Sequence, residues 1–241
     1  MQPLTRTFLR YTTGNILGML GLSCYILADT YFIATGVGSD GLTALNLVLP
    51  VYSLISGCGL MIGSGAATRY AISRGAGDKD AANRAFTRGL ALAIGFGLLL
   101  TALGTFFASH IAALLGAKGS ILPLAAEYLR TICAFSLAFV LNNVFLAFVR
   151  NDGAPGLAMT GMIVGSLSNV VLDYLLIFPC GLGMFGAALA TGCAPLISMA
   201  ILSSHKWRGR CQFGLTSIPL RPSPFLRVLS TGFSALIGEI S

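Results

Sequence analysis

The sequence predicts an all-α membrane protein: a six-transmembrane-helix bundle followed by the start of a seventh helix. Two observations support this fold class. First, 55% of the 241 residues are hydrophobic and only 10% are charged, whereas soluble domains carry roughly 25% charged residues. Second, the apolar residues form runs long enough to cross ~30 Å of hydrocarbon, which takes about 20 helical residues. Each run is expected to be a helix because a lone strand cannot satisfy its backbone in lipid.

Six complete runs are predicted to span the membrane, and a seventh begins near residue 225. The six spans are 11–34, 43–68, 87–108, 122–149, 156–178 and 184–204. Two prolines, Pro50 and Pro195, fall inside the second and sixth spans, where each can kink its helix. Glycines four residues apart indicate close helix packing; the pairs are Gly14 and Gly18, Gly59 and Gly63, and Gly161 and Gly165.

The basic residues predict the orientation of the bundle. If six helices alternate in direction, all 15 basic residues except Lys118 and Arg130 fall on one side. By the positive-inside rule, the N-terminus and the loop after the sixth helix are therefore expected in the cytoplasm, with the chain in the cytoplasmic (inner) membrane. The net charge of +7 is then a consequence of topology, and nucleic acid is not an expected partner.

Two carboxylates lie inside apolar runs, in "YILADTYFI" and "SNVVLDYLLIF". Asp29 and Asp173 each lie five residues before the outer end of an outward-running helix. At 1.5 Å per residue, both should sit roughly 7–8 Å below the outer boundary. Asn169 precedes Asp173 by four residues and shares its helix face. Thr191 on the sixth helix is expected at about the same depth, roughly 10 Å.

These four oxygen-bearing side chains suit two tasks. They can hold a hard cation such as Na⁺, with Asp29 and Asp173 as the metal-binding carboxylates. They can instead hold a proton, because burial and a nearby like charge both favour the neutral form of a carboxylic acid. A purely structural role is the third possibility, since a charge in a membrane helix can be satisfied by neighbouring polar groups.

Several other polar residues are weaker candidates. Glu239, about 14 residues into the seventh run, is a possible additional site residue. Asn142 and Asn143 on the fourth helix either line a cavity or bond to a neighbouring helix. Two histidines at helix ends, His110 and His205, are expected at the surface.

Enzymatic chemistry is not indicated. The sequence has no Ser-His-Asp, His-Glu-x-x-His or paired-cysteine arrangement. Its six cysteines are scattered and contain no C-x-x-C pair, so neither a zinc site nor a disulfide framework is expected. We therefore expect a non-enzyme without a cofactor.

Three stretches carry a family resemblance: "LADTYFIATGVGSDGLTALNLVLPV", "GSGAATRYAISRGAGDKDAANRAFTRG" and "RNDGAPGLAMTGMIVGSLSNVVLDYLLIFPCGLGMFGAALAT". In this order they resemble the first half of a multidrug and toxic compound extrusion (MATE) transporter. The resemblance implies a twelve-helix antiporter with two six-helix lobes, exporting organic, often cationic drugs in exchange for Na⁺ or H⁺. It implies an N-lobe cation site at Asp29, Asn169, Asp173 and Thr191, with Glu239 matching a helix-7 glutamate of some members.

The length of the chain departs from the family, since the second lobe is essentially absent. We expect a six-helix lobe at 1–204, an inter-lobe cytoplasmic loop at 205–224, and the start of a second lobe at 225–241. The chain is thus expected to be a fragment or a half that requires a C-terminal lobe from the same gene or a split partner. Two alternatives stay open: a lipid-linked oligosaccharide flippase of the same superfamily, and a membrane scaffold or receptor without transport.

Overall fold

The structure is a computed structural model that describes residues 26–209, 211–218 and 222–240. All regular secondary structure in these ranges is α-helical, which confirms the predicted all-α class. We number the helices α1 (26–36), α2 (Ser39–Gly75), α3 (Lys79–Leu114), α4 (Ile121–Ala134), α5 (Ser136–Asn151), α6 (Pro155–Ile177), α7 (Gly183–Trp207) and α8 (Pro222–Ile240).

The helices follow the predicted spans, with longer ends. In the described residues four helices are long and apolar enough to cross a membrane: α2, α3, α6 and α7. The bent pair α4–α5 makes a fifth if it counts as one span. Most of the first predicted span, including Gly14 and Gly18, lies outside the described residues. Helix α8 begins at Pro222, close to the predicted start of the seventh helix. The predicted domain limits at 204 and 224 stay predictions.

The fourth predicted span is not one straight helix. It divides at Phe135 into α4 and α5, which meet at a bend of 48°. The ring of Phe135 lies directly over Gly192 of α7, where any side chain would collide with it. In contrast, α2 and α7 run as single helices through Pro50 and Pro195.

Helix α2 is central to the packing, since it contacts α3, α4, α5 and α8, while α6 pairs with α7. Gly59 and Gly63 of α2 lie against α5, and Gly161 and Gly165 of α6 lie against α7. In both pairs, the missing side chain lets the facing helix approach closely, as the spacing predicted. Helices α2 and α8 also approach closely, since a Cβ atom on Gly232 would collide with the carbonyl oxygen of Met61.

The two ends of the bundle differ in charge. At one end, Tyr70 at the end of α2, Asp152 after α5 and His205 at the end of α7 come together. We call this the basic end, because the loops that meet there carry most of the basic residues. The opposite end holds the C-terminal turns of α1 and α6.

Candidate functional site

The four predicted site residues all lie inside the bundle. Asp173 and Asn169 of α6 are 0% and 1% exposed, and Asp29 of α1 and Thr191 of α7 are each 7% exposed. Charged and amide side chains are almost never this deeply buried unless they are paired. Three different helices thus contribute polar groups to one interior region.

Packing between α1 and α6 sets the register of the two carboxylates. The ring of Phe32 on α1 contacts the rings of Tyr174 and Phe178 on α6, with centroids 6.1 and 5.9 Å apart. Because Phe32 lies one turn beyond Asp29 and Tyr174 directly follows Asp173, these contacts place both carboxylates at one level. The two groups are close enough to interact electrostatically.

Asn169 links Asp173 to Thr191. In the amide orientation that satisfies all its neighbours, Nδ2 donates to Asp173 Oδ2 at 3.1 Å. The amide oxygen then accepts from Thr191 Oγ1 at 3.3 Å and from the Thr191 backbone N–H at 3.2 Å. The i, i+4 spacing of Asn169 and Asp173 is what allows this contact within one helix. Asn169 therefore positions one Asp173 oxygen and leaves the other free.

Each carboxylate keeps one buried oxygen without a partner. In the described part of the chain, Asp29 Oδ1 and Asp173 Oδ1 have no hydrogen-bond donor. An unsatisfied buried polar atom costs about 1–3 kcal/mol, and more when it is charged. Two such oxygens near each other favour an occupant that supplies positive charge or a proton.

Tyr128 of α4 completes the group and was missed from the sequence. Its side chain is 4% exposed and lies close to Asp29, Asp173 and Thr191. Tyr128 lies seven residues after the first residue of α4, and Thr191 lies eight residues after the first residue of α7, so their depths are similar. The position of Tyr128 along its helix could therefore have indicated that it joins the site. A tyrosine near a membrane interface is common, however, and does not stand out as an aspartate does. We call Asp29, Tyr128, Asn169, Asp173 and Thr191 the carboxylate cluster.

The weaker candidates lie on α5 and α8. Asn143 donates to the backbone oxygen of Ser56 at 3.4 Å, so it bonds to a neighbouring helix. The side-chain stem of Glu239 packs over Gly57. Asn142 has a buried amide oxygen without a partner in the described residues. A role for these three residues in cation binding stays a prediction.

The donor set limits which cations fit the cluster. The described residues contain no group of three or more His, Cys, Asp or Glu side chains placed to hold a metal. The cluster offers two carboxylates together with hydroxyl and amide oxygens. Oxygen donors of this kind suit a hard cation better than a soft transition metal. Whether Asp29 and Asp173 bind Na⁺ stays a prediction.

Comparison with known proteins identifies the family of the chain. The MatE family profile matches residues 15–175, well over half of the chain. The chain belongs to the MATE family. The multidrug export protein MepA of Staphylococcus aureus (strain MRSA252) is 32% identical to it over 191 residues, covering 78% of this chain and 42% of MepA. MepA of Staphylococcus saprophyticus subsp. saprophyticus is 27% identical over 236 residues, covering 96% and 52%.

Solved MATE structures share the fold. A crystal structure of MATE in complex with MaD3S superimposes with a TM-score of 0.87 and 28% identity, covering 96% of this chain and 53% of that chain. This MATE chain therefore spans about half the length of the relatives that it matches.

A second buried polar group in this MATE chain lies at the basic end. Asp152 accepts hydrogen bonds from the Tyr70 hydroxyl, from His205 Nε2 at 2.8 Å and from the Gln212 backbone N–H at 2.8 Å. Three donors satisfy an ionised carboxylate, so Asp152 anchors α2, α7 and the segment 211–218 to one another.

The surface position expected for His205 is wrong, since this residue is 3% exposed. Segment 211–218 folds back over the end of α7, and the ring of Phe213 stacks on His205 at 6.3 Å. The same segment is hydrogen-bonded to α3 through Gly214 and Thr216. His110 is exposed, as expected.

Proposed function

We propose that this chain forms one lobe of a cation-coupled secondary antiporter that exports organic, often cationic drugs or toxic compounds. The observation that carries the proposal is the carboxylate cluster, in which two buried aspartates from separate helices each keep an unpaired oxygen. The name of the MepA relatives, multidrug export protein, supports the substrate class.

The cluster supplies a physical basis for coupling. An empty cluster holds two like charges away from water, whereas Na⁺ or protons would neutralise them. Because Asp29 lies on α1 and Asp173 on α6, occupancy changes the free energy of any rearrangement that separates these helices. Export then follows if the drug and the cation bind two conformations of the protein with different affinities.

The complete transporter requires a second lobe, and the proposal assigns this chain to the first. Helix α8 would begin the second lobe, which comes from the same gene or from a split partner. We further propose that the basic end faces the cytoplasm in the inner membrane, since positively charged loops are retained on that side.

Replacement of Asp173 tests the role of the cluster. Asp173→Asn keeps the shape of the side chain but removes its charge, so it should abolish drug efflux while the protein still reaches the membrane. The measurement is drug accumulation in cells that express the protein, with and without an imposed Na⁺ or H⁺ gradient. Asp80→Asn, at an exposed position on α3, is the matched control and should leave efflux unchanged. Gradient-dependent efflux that survives Asp173→Asn would refute the coupling role.

Cation binding can be measured on the purified chain itself. Na⁺ should raise the midpoint of thermal unfolding. Asp173→Asn should lower the affinity for Na⁺ about tenfold or more, because hydrogen bonds to charged groups contribute about 1.5–3 kcal/mol. Na⁺ binding should also weaken as the pH falls, because protons compete for the same carboxylates. If Na⁺ has no effect at any pH but protons are bound, the coupling ion is H⁺. If neither binds, the aspartates are structural, as expected for a scaffold without transport.

A further inference from the structure

Three arginines at the basic end surround a cavity of about 190 Å³ between α2, α3 and α8. Arg69 comes from α2, Arg84 and Arg88 come from α3, and Val228 of α8 forms another wall. Arg84 and Arg88 are four residues apart, so they lie on one face of α3. A cavity of this size has room for several water molecules, which each occupy ~30 Å³ in the liquid.

The arginines lack acidic partners in the part of the chain that the structure describes. The only ion pair there joins His205 and Asp152. The acids nearest in sequence are Asp78 and Asp80, both exposed, and Asp78 accepts from the Ala81 backbone N–H at the start of α3. Neither makes an ion pair with an arginine of this cavity.

Two of the guanidinium groups have buried nitrogen atoms with unused hydrogen-bonding capacity. In the described residues, Nε of Arg69 and Nε of Arg88 are inaccessible to solvent and have no acceptor. Arg88 also lies close enough to Arg69 and Arg84 for their positive charges to repel it. A bound anion would reduce the repulsion between the arginines and would accept hydrogen bonds from their unpaired N–H groups. Guanidinium groups match the oxygens of a phosphate particularly well.

A second, apolar groove begins within one turn of Arg88, further along α3. The groove has a volume of about 400 Å³ and is lined by Ala91, Leu92, Gly95, Phe96 and Leu99 of α3 and by Phe225 of α8. Leu92 and Phe96 follow Arg88 at four-residue intervals, so the groove extends the same face of α3 into the apolar part of the helix. A phosphate pocket followed by an apolar groove has the pattern of a phospholipid, with its anionic head group at the arginines and an acyl chain beyond.

We propose that Arg69, Arg84 and Arg88 bind the phosphate of an anionic phospholipid whose acyl chain lies in the groove between α3 and α8. Basic pockets between transmembrane helices bind such head groups. The lipid contacts α2, α3 and α8 together, and so holds α8 against the first six-helix unit. This site is separate from the carboxylate cluster and does not depend on the proposed transport.

Lipid retention by the purified chain tests the proposal. The chain in detergent is mixed with dioleoyl-phosphatidylglycerol, with dioleoyl-phosphatidylcholine, or with inorganic phosphate at an ionic strength matched by chloride. Native mass spectrometry counts bound lipid, and thermal unfolding measures stabilisation. Phosphatidylglycerol should be retained and should raise the unfolding midpoint more than phosphatidylcholine or inorganic phosphate.

Two charge-matched variants separate the site from general electrostatics. The triple variant R69Q/R84Q/R88Q should bind phosphatidylglycerol roughly a hundredfold more weakly, since each arginine near an anionic lipid contributes about a fivefold factor. The control K79Q/K206Q/R208Q removes three charges from exposed positions at the same end and should stay within about threefold of the parent.

A further variant blocks the groove without removing charge. A Cβ atom added to Gly95 would have no side chain or other helix within 4 Å, so Gly95→Leu places its side chain in the groove and should release the lipid. Gly238→Leu, at an equally open position on α8, should not. Equal effects of the two lipids, stabilisation by inorganic phosphate alone, or equal loss in R69Q/R84Q/R88Q and its control would each overturn the proposal.

Discussion

The hydroxyl of Tyr128 can be removed from the carboxylate cluster without changing a charge or a backbone contact. It lies close to Thr191 and to both aspartates. Tyr128→Phe should therefore weaken Na⁺ or proton binding by about twofold to tenfold, the range expected for one hydrogen bond of 0.5–1.5 kcal/mol. The measurement is the cation-dependent shift in thermal unfolding of the purified chain.

Tyr174→Phe provides the control for Tyr128, because Tyr174 is 53% exposed on the neighbouring α6. It should bind cations like the parent. Equal affinity in the Tyr128 variant would show that its hydroxyl serves packing and not the cation.

The sequence predicted which polar residues of the apolar helices lie at the same distance from the end of the bundle. Asp29, Asn169, Asp173 and Thr191 come together because the rise per residue fixes how far each lies from the end of its helix. The burial of His205 could not be predicted in this way. It depends on a contact with Asp152, 53 residues earlier in the sequence, and on segment 211–218 folding back over the His205 ring.

At the level of helices, the hydropathy of the sequence predicted where each described span lies. It did not predict where a span is broken into two helices. The prolines of α2 and α7 were the sequence signals for kinks, yet both helices continue through them. The break at Phe135 has neither proline nor glycine nearby and coincides with a packing contact on Gly192. Breaks of this kind depend on tertiary packing, which a single helix sequence does not contain.

The contact between α2 and α8 is sensitive to the size of one residue. A Cβ on Gly232 would lie against the backbone of Met61, which cannot move aside without shifting α2. Gly232→Leu should therefore separate the helices and lower stability by about 1–3 kcal/mol or more. Thermal unfolding in detergent measures this loss.

Gly238→Leu on the same helix is the comparison for Gly232, since nothing lies within 4 Å of its Cβ position. It should unfold at the temperature of the parent. A similar decrease for both variants would mean that leucine destabilises α8 itself and not its contact with α2.

For the whole molecule, the structure places at one end of the bundle the loops that were predicted to share one side of the membrane. The ends of α2, α5 and α7 meet around Asp152, so the basic residues next to them share one end of the bundle. Cys180 is exposed in the turn between α6 and α7 at the opposite end, and Lys79 is exposed at the start of α3 at the basic end. These two positions can therefore report which end faces the cytoplasm.

A membrane-impermeant maleimide applied to intact cells tests the orientation. A variant whose only cysteine is Cys180 should react from outside, whereas a variant whose only cysteine is introduced by Lys79→Cys should react only after the membrane is permeabilised. The reason is energetic, because positively charged loops resist transfer across the membrane. The reverse pattern would place the carboxylate cluster near the cytoplasmic face. A cation entering from outside would then have to cross most of the lobe before it reached Asp29 and Asp173.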